Sequence, residues 1–111
     1  DQWQRRVRRY LQDAGFEVVQ TDNLQDALGH AQRQEFRVYV VDGDFPLRRG
    51  GPEVSAGLML YERIRHLRDG KLNYVILSGD TSLETECEGL GIRFIRKGDY
   101  ESITAYLKSL Q

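Results

Sequence analysis

Apolar residues recur along this chain at two spacings, and the two spacings alternate. A spacing of three and four residues predicts an amphipathic helix, whereas a short run of β-branched and aromatic residues predicts a strand. The first segment has the helical spacing, and Gly15 provides a stop signal after it. The apolar side of this helix comprises Trp3, Val7, Tyr10, Leu11 and Ala14, and its other sides carry Arg5, Arg6, Arg8 and Arg9.

Short apolar runs predict four strands. The second and third of them end in consecutive apolar residues, which is typical of a strand buried on both faces of a parallel sheet. The predicted strands are Phe16–Gln20, Phe36–Val41, Leu72–Leu77 and Ile92–Ile95.

Capping residues mark the starts of the helices between and after these strands. Asn23 is placed to cap the second helix, and Asp99 the last one. A third helix is predicted from Gly57 to a stop at Asp69-Gly70, and Thr81 with Glu84 forms a capping-box pattern for a fourth. The alternation of helices and strands predicts an α/β fold, with a parallel sheet covered on both faces.

Length and composition set limits on this fold and its partners. A chain of 111 residues predicts a single domain over residues 1–111. The net charge of −1 gives no reason to expect nucleic-acid binding. A single cysteine allows no intrachain disulfide, which fits a cytoplasmic location. No signal peptide is visible, and no apolar run approaches the roughly 20 residues that cross a bilayer.

Three predicted strands end at a residue that can act on phosphate. These residues are Asp42, Ser78 and, after the last strand, Lys97. The carboxyl ends of parallel strands meet at one edge of a sheet, so we expect the three side chains to lie close together. A carboxylate can attack phosphorus, while a hydroxyl and an ammonium can bind the transferring oxygens.

The ordered set of motifs resembles the receiver domains of response regulators, over nearly the whole chain. Val40-Val41-Asp42, with Pro46 four positions later, is similar to the apolar strand and phosphoacceptor of that family. Ser78-Gly79 resembles the end of its switch strand, Lys97 matches its lysine, and Phe94 stands at its aromatic switch position. The resemblance implies a flavodoxin-like fold with four strands in the given sequence.

The resemblance also implies a role in two-component signalling and phosphorelay signal transduction. A histidine kinase or a phosphotransfer protein would phosphorylate Asp42, and Ser78 and Lys97 would bind the phosphoryl oxygens. Mg²⁺ would be held by Asp42, by the backbone carbonyl of Asp44 and by an acidic pair. Movement of Ser78 would allow Phe94 to turn inward and change an interaction surface. In this interpretation the domain is not an enzyme, apart from autophosphatase activity.

The chain departs from the family pattern at its start and beside its expected site. The family's first strand and its acidic pair are absent from the given sequence, and that strand would be internal to the sheet. The sequence is then part of a longer protein, or another copy supplies the strand in a homodimer or strand-swapped dimer, or the sheet closes over four strands. Gly98 also replaces the usual proline, and the segment from Asp42 to Gly57 is longer than usual.

Two other functions stay open. One is a pseudo-receiver, which has the same fold but serves as an unphosphorylated interaction or dimerisation module; the missing acidic pair favours it. The other is a phosphatase of the haloacid dehalogenase type, because Asp42-Gly43-Asp44 resembles that family's Asp-x-Asp motif. Phe45-Pro46 does not fit the phosphatase pattern, and no acidic final motif follows Lys97.

Overall fold

A computed structural model describes residues 2–67 and 72–110 of the chain. Within them the structure has helices and short strands in an α/β arrangement. The helices are α1 (Gln2–Asp13), α2 (Leu24–Arg33), α3 (Ala56–Ile64), α4 (Leu83–Leu90) and α5 (Tyr100–Ser109). The strands are β1 (Tyr39–Asp42), β2 (Phe45–Pro46), β3 (Glu53–Val54), β4 (Tyr74–Ser78) and β5 (Arg93–Arg96).

The chain divides into two units. One contains Asp1–Gln20 with Lys97–Gln111, and so holds α1 and α5; the other is Thr21–Arg96 and holds both sheets. In the first unit, the Trp3 and Tyr100 rings pack against each other at a tilt of 49°, with centroids 4.6 Å apart. Asp99 caps α5 as predicted, because its Oδ1 accepts a hydrogen bond from the Ser102 N–H at 3.1 Å.

The larger unit contains a parallel sheet in the order β1-β4-β5. The expected parallel sheet is therefore present, and β4 is buried at every position from Tyr74 to Ser78, as predicted. Strand β1 differs from the prediction. It lies at an edge of the described sheet, and only Val41 among its residues is buried.

The predicted strand Phe16–Gln20 is wrong, so the described parallel sheet has three strands where four were expected. A strand needs the hydrogen-bond ladder of a neighbour, and this segment instead turns back along α1. The Phe16 N–H donates to the Leu11 carbonyl at 2.9 Å. The Arg8 guanidinium donates to the Gln20 side chain at 3.0 Å.

The core of the larger unit lies between the helices and one face of the sheet. Its buried residues come from α2, α3, α4 and the strands: Leu24, Ala31, Val41, Ala56, Leu60, Ile64, Tyr74, Ile76, Cys87 and Ile92. Helix α3 ends at Ile64, and its predicted stop at Asp69-Gly70 lies outside the described residues. In the described residues, every helix falls short of the length and apolar character needed to cross a bilayer.

The long segment between β1 and α3 contains a small antiparallel pair, β2 with β3. Phe45 pairs with Val54 and Pro46 with Glu53. The Leu47 carbonyl accepts a hydrogen bond from the Gln25 N–H at 3.0 Å, which ties this hairpin to the start of α2. The hairpin is therefore held against the start of α2 by a backbone hydrogen bond directly after its first strand.

Candidate functional site

The carboxyl ends of β1 and β4 lie side by side and form the rim that carries the predicted site. Asp42 is in register with Leu77, and the next ladder bond runs from the Gly43 N–H to the Leu77 carbonyl at 2.9 Å. Ser78 is thus the neighbour of Gly43, one step beyond Asp42. The structure brings Asp42 and Ser78 to the same edge, as expected for two adjacent parallel strands.

Ser78 is a buried hydroxyl, with 3% of its surface exposed. Its Oγ accepts a hydrogen bond from the Asp80 N–H at 3.0 Å, which orients the side chain. A Cβ at position 43 would lie 3.1 Å from this Oγ and 2.8 Å from Leu83 Cδ1. The absence of a side chain at Gly43 therefore allows Ser78 and the start of α4 to pack against the end of β1.

Asp42 is half-buried, so part of the residue is in contact with solvent. Its Oδ1 accepts a hydrogen bond from the Asp44 N–H at 3.3 Å, a contact that turns the chain directly after the strand. Successive side chains of a strand point to opposite faces. The Asp42 carboxylate and the Ser78 hydroxyl therefore approach the rim from opposite sides of the sheet, with the bare Cα of Gly43 between them.

Helix α3 begins directly against the end of β1. A Cβ on Gly57 would lie 2.7 Å from the Asp42 carbonyl oxygen and 3.2 Å from Gly43 Cα. The Gly57 N–H donates to the Gly43 carbonyl at 3.2 Å. The Gly57 carbonyl accepts from the Tyr74 hydroxyl at 2.6 Å. These contacts hold the Asp42 backbone between the sheet and α3.

Two titratable groups near the rim have shifted pKa values. Burial raises the pKa of Tyr74 well above its usual value, so the hydroxyl stays protonated and keeps its hydrogen bond to Gly57. The Asp80 Oδ1 accepts from the Ser82 hydroxyl at 2.7 Å and the Ser82 N–H at 3.0 Å. These hydrogen bonds lower the pKa of Asp80. Asp80 thus holds the turn before α4. The N-cap of this helix is Ser82, which makes no side-chain capping bond, so the predicted Thr81–Glu84 capping box is not formed.

The other two predicted site residues are Phe94 and Lys97. Phe94 is in register with Ile76 in β5, is half-buried, and packs against the core of the larger unit. Arg96 ends β5 and is in register with Ser78. Lys97 is the next residue along the chain and belongs to the other unit. Its proposed contact with a phosphoryl group stays a prediction.

Among the described residues, this rim lacks the group of carboxylate ligands that usually binds Mg²⁺ in proteins. Within residues 2–67 and 72–110, no group of three or more His, Cys, Asp or Glu residues is placed to hold a metal ion. Asp42 and the Asp44 carbonyl supply oxygen ligands, but a stable site usually takes further carboxylates or a substrate phosphate. The described residues do not fit a resident Mg²⁺, and the expected metal stays a prediction of the resemblance.

Sequence reasoning missed the residues that build the rim. Gly43, Gly57 and Tyr74 make its closest contacts, yet none of them carries out chemistry by itself. A glycine directly after a strand-ending aspartate was a usable signal, since glycine permits close backbone approach. The Tyr74–Gly57 hydrogen bond joins residues that are 17 positions apart, so the residues around either one do not predict it.

The fold and site define the class of this protein only as an α/β protein with a polar rim at its parallel strand ends. No protein-family model matches the chain, and neither a curated protein nor a solved structure matches it at a significant level.

Proposed function

We propose that this chain is a flavodoxin-like receiver domain that accepts a phosphoryl group on Asp42 in phosphorelay signalling. The observation that carries the proposal is the position of Asp42, half-buried at the end of β1, beside the strand that ends in the buried Ser78 hydroxyl. A carboxylate held in this way can act as a nucleophile while water still reaches the site.

In the proposed reaction, one Asp42 carboxylate oxygen attacks the phosphorus of a phosphohistidine or an acyl phosphate. The new O–P bond forms as the bond from phosphorus to the donor breaks, and the leaving group takes the electron pair. The Ser78 hydroxyl donates a hydrogen bond to a phosphoryl oxygen, and Lys97 neutralises part of the added charge. The Ser78 Oγ accepts from the Asp80 N–H, so its own hydroxyl hydrogen is the donor in this contact.

The test is incubation of the chain with acetyl phosphate and Mg²⁺, followed by intact mass measurement. We expect one phosphoryl adduct that hydroxylamine removes, because hydroxylamine cleaves acyl phosphates. The adduct should be absent in Asp42→Asn and retained in Asp44→Asn, which removes the neighbouring carboxylate but leaves its backbone carbonyl. An adduct that persists in Asp42→Asn would contradict the proposal.

A pseudo-receiver is the second function supported by a specific observation, the lack of an acidic ligand group in the described residues. In that case the same rim would act as a fixed interaction surface, and Phe94 would stay packed against the core. No adduct in either the presence or the absence of Mg²⁺ favours this function. Turnover of small phosphate esters would instead favour the haloacid dehalogenase type.

A further inference from the structure

Helix α1 presents an exposed arginine face. Trp3, Val7 and Leu11 are buried on one side of the helix. Arg5 and Arg9 stand opposite them, one helical turn apart, and Arg6 and Arg8 flank them; all four arginines are exposed. Side chains four residues apart on a helix are neighbours, about 6 Å apart at Cβ. The face therefore concentrates positive charge along a single line.

No carboxylate neutralises this face within the part of the chain that the structure describes. Arg6 lies over the Tyr100 ring at 3.8 Å, and Arg8 donates to the neutral side chain of Gln20. The ion pairs found in the described residues involve other arginines, Arg49 and Arg65. Like charges four residues apart repel, and positive charge near a helix N-terminus opposes the helix dipole. An acidic partner would relieve both effects.

Helix α4 presents the opposite charge at the same spacing. Leu83 and Cys87 are buried, while Glu84, Glu86 and Glu88 are exposed. Glu84 and Glu88 are one helical turn apart, as Arg5 and Arg9 are. Burial has the largest effect in raising the pKa of the Cys87 thiol, and the negative charges of Glu86 and Glu84 raise it further. The charges of these glutamates therefore act on a neighbouring group of the same helix.

We propose that copies of this chain associate through these two faces, with the glutamates of α4 in one copy against the arginines of α1 in another. The matched i,i+4 spacing lets Glu84 and Glu88 meet Arg5 and Arg9 as two neighbouring ion pairs. Arginine is suited to this contact because its planar fork binds a carboxylate through two hydrogen bonds.

The charge distribution favours a second copy over other anionic partners. A net charge of −1 does not attract nucleic acid over long range, which usually requires a basic excess. The apolar side of α1 is buried, so the helix has no apolar surface to insert into a membrane. Contact between two arginine faces would be repulsive, so each arginine face meets the glutamate face of another copy.

The test is sedimentation velocity over a range of concentrations in low and high salt. We expect weak association that salt weakens, because exposed ion pairs are screened. Arg5→Glu with Arg9→Glu should weaken it by about tenfold or more, since like charges then face each other. Glu84→Arg with Glu88→Arg should do the same. The matched control, Arg48→Glu with Arg49→Glu, makes the same change in charge on exposed arginines of the hairpin.

Mixing the two charge-reversed variants distinguishes loss of the proposed contact from misfolding of the variants. Each variant alone should be monomeric, whereas the mixture should associate, because each supplies the charge that the other lost. A single chain carrying both reversals should also regain association. A monomeric wild-type chain at every concentration would overturn the proposal. So would equal loss in the hairpin control, or binding of heparin or anionic vesicles through Arg5 and Arg9 without self-association.

Discussion

Two connections meet at the rim of the sheet, and they are built differently. The short connection after β4 is held by local hydrogen bonds, in which Asp80 binds Ser78 on one side and Ser82 on the other. The long connection after β1 is held by contacts that are distant in sequence. Gly57 returns to the Asp42–Gly43 backbone, and Tyr74 fixes the Gly57 carbonyl.

This difference shows where the position of Asp42 is determined. The hydrogen bonds of the short connection act over a few residues, and Asp80 and Ser82 remain exposed to solvent. The close approach of α3 to β1 is a packing contact between backbones, and it has little room to adjust. Substitutions at the packing contact should therefore cost more stability than substitutions in the short loop, and charges on the hairpin should matter least.

The largest effect is expected for Gly57→Ala. Its Cβ would lie 2.7 Å from the Asp42 carbonyl oxygen, a backbone atom that cannot rotate away. Overpacking of this kind costs about 1–3 kcal/mol, which exceeds the gain of up to about 1 kcal/mol from better helix propensity. We expect a lower free energy of unfolding in urea and slower formation of the proposed Asp42 phosphoryl adduct.

Gly89→Ala is the matched control for this prediction. Gly89 also lies in a helix, but a Cβ there would meet nothing within 4 Å. The same substitution should then stabilise the protein by about 0.5–1 kcal/mol through helix propensity alone. Equal effects of the two substitutions would show that α3 does not press against the end of β1.

The next effect is expected for Tyr74→Phe. The substitution leaves the buried Gly57 carbonyl without its 2.6 Å hydrogen bond, which costs about 1–2 kcal/mol. Tyr61→Phe is the control, because that hydroxyl makes a longer, exposed bond of 3.5 Å to the Leu90 carbonyl. Urea unfolding should show a clearly larger loss for Tyr74→Phe.

The raised pKa of Tyr74 adds a pH dependence. The folded-state pKa lies above the unfolded value of about 10, so the protonated hydroxyl stabilises the fold fully below that pH. This contribution should be lost as pH rises above about 10 toward the folded pKa. The stability of the wild type should therefore fall more steeply there than that of Tyr74→Phe, and parallel curves would contradict the assignment.

The same contrast explains how much of the fold was predictable. Caps at Asn23 and Asp99 and the buried strand β4 were predicted correctly, because each depends on residues within a few positions. The strand at Phe16–Gln20 was wrong, because an apolar run becomes a strand only beside a neighbouring strand. The hairpin after β1 was missed for a related reason, since its pairing depends on where the loop is anchored.

The residues of the candidate site divide in the same way, into those that follow from the order of elements and those that depend on distant contacts. The ends of adjacent parallel strands must meet, so the presence of Asp42 and Ser78 at one rim could be inferred from the order of elements. The glycines and Tyr74 that set the spacing act between distant segments, and no local pattern identifies them. The placement of Lys97 and the switch role of Phe94 depend on tertiary arrangement and stay predictions.

A smaller effect is expected for Asp80→Asn in the short connection. Hydrogen bonds from Ser82 lower the pKa of Asp80 below its usual 3.8, so the ionised form stabilises the fold above that pH. The contribution should be lost as pH falls below about 3.8 toward the folded pKa. The difference in melting temperature between wild type and Asp80→Asn should shrink in this acid range. Ser82→Ala should show part of the same effect, since it removes one of the two donors to Asp80 and leaves the Ser82 N–H.

The smallest effect is expected for Arg49→Ala in the hairpin. The Arg49–Asp22 contact is 4.0 Å long, and its side chains are 81% and 70% exposed, so solvent screens it. Exposed pairs of this kind contribute under about 0.5 kcal/mol. Asn23→Ala, one residue from Asp22, should cost about 1 kcal/mol, because its buried Oδ1 caps α2 through the Asp26 N–H at 2.9 Å. Equal losses of unfolding free energy for the two variants would mean that the exposed Arg49–Asp22 contact contributes as much as the buried Asn23 cap, which would contradict the prediction.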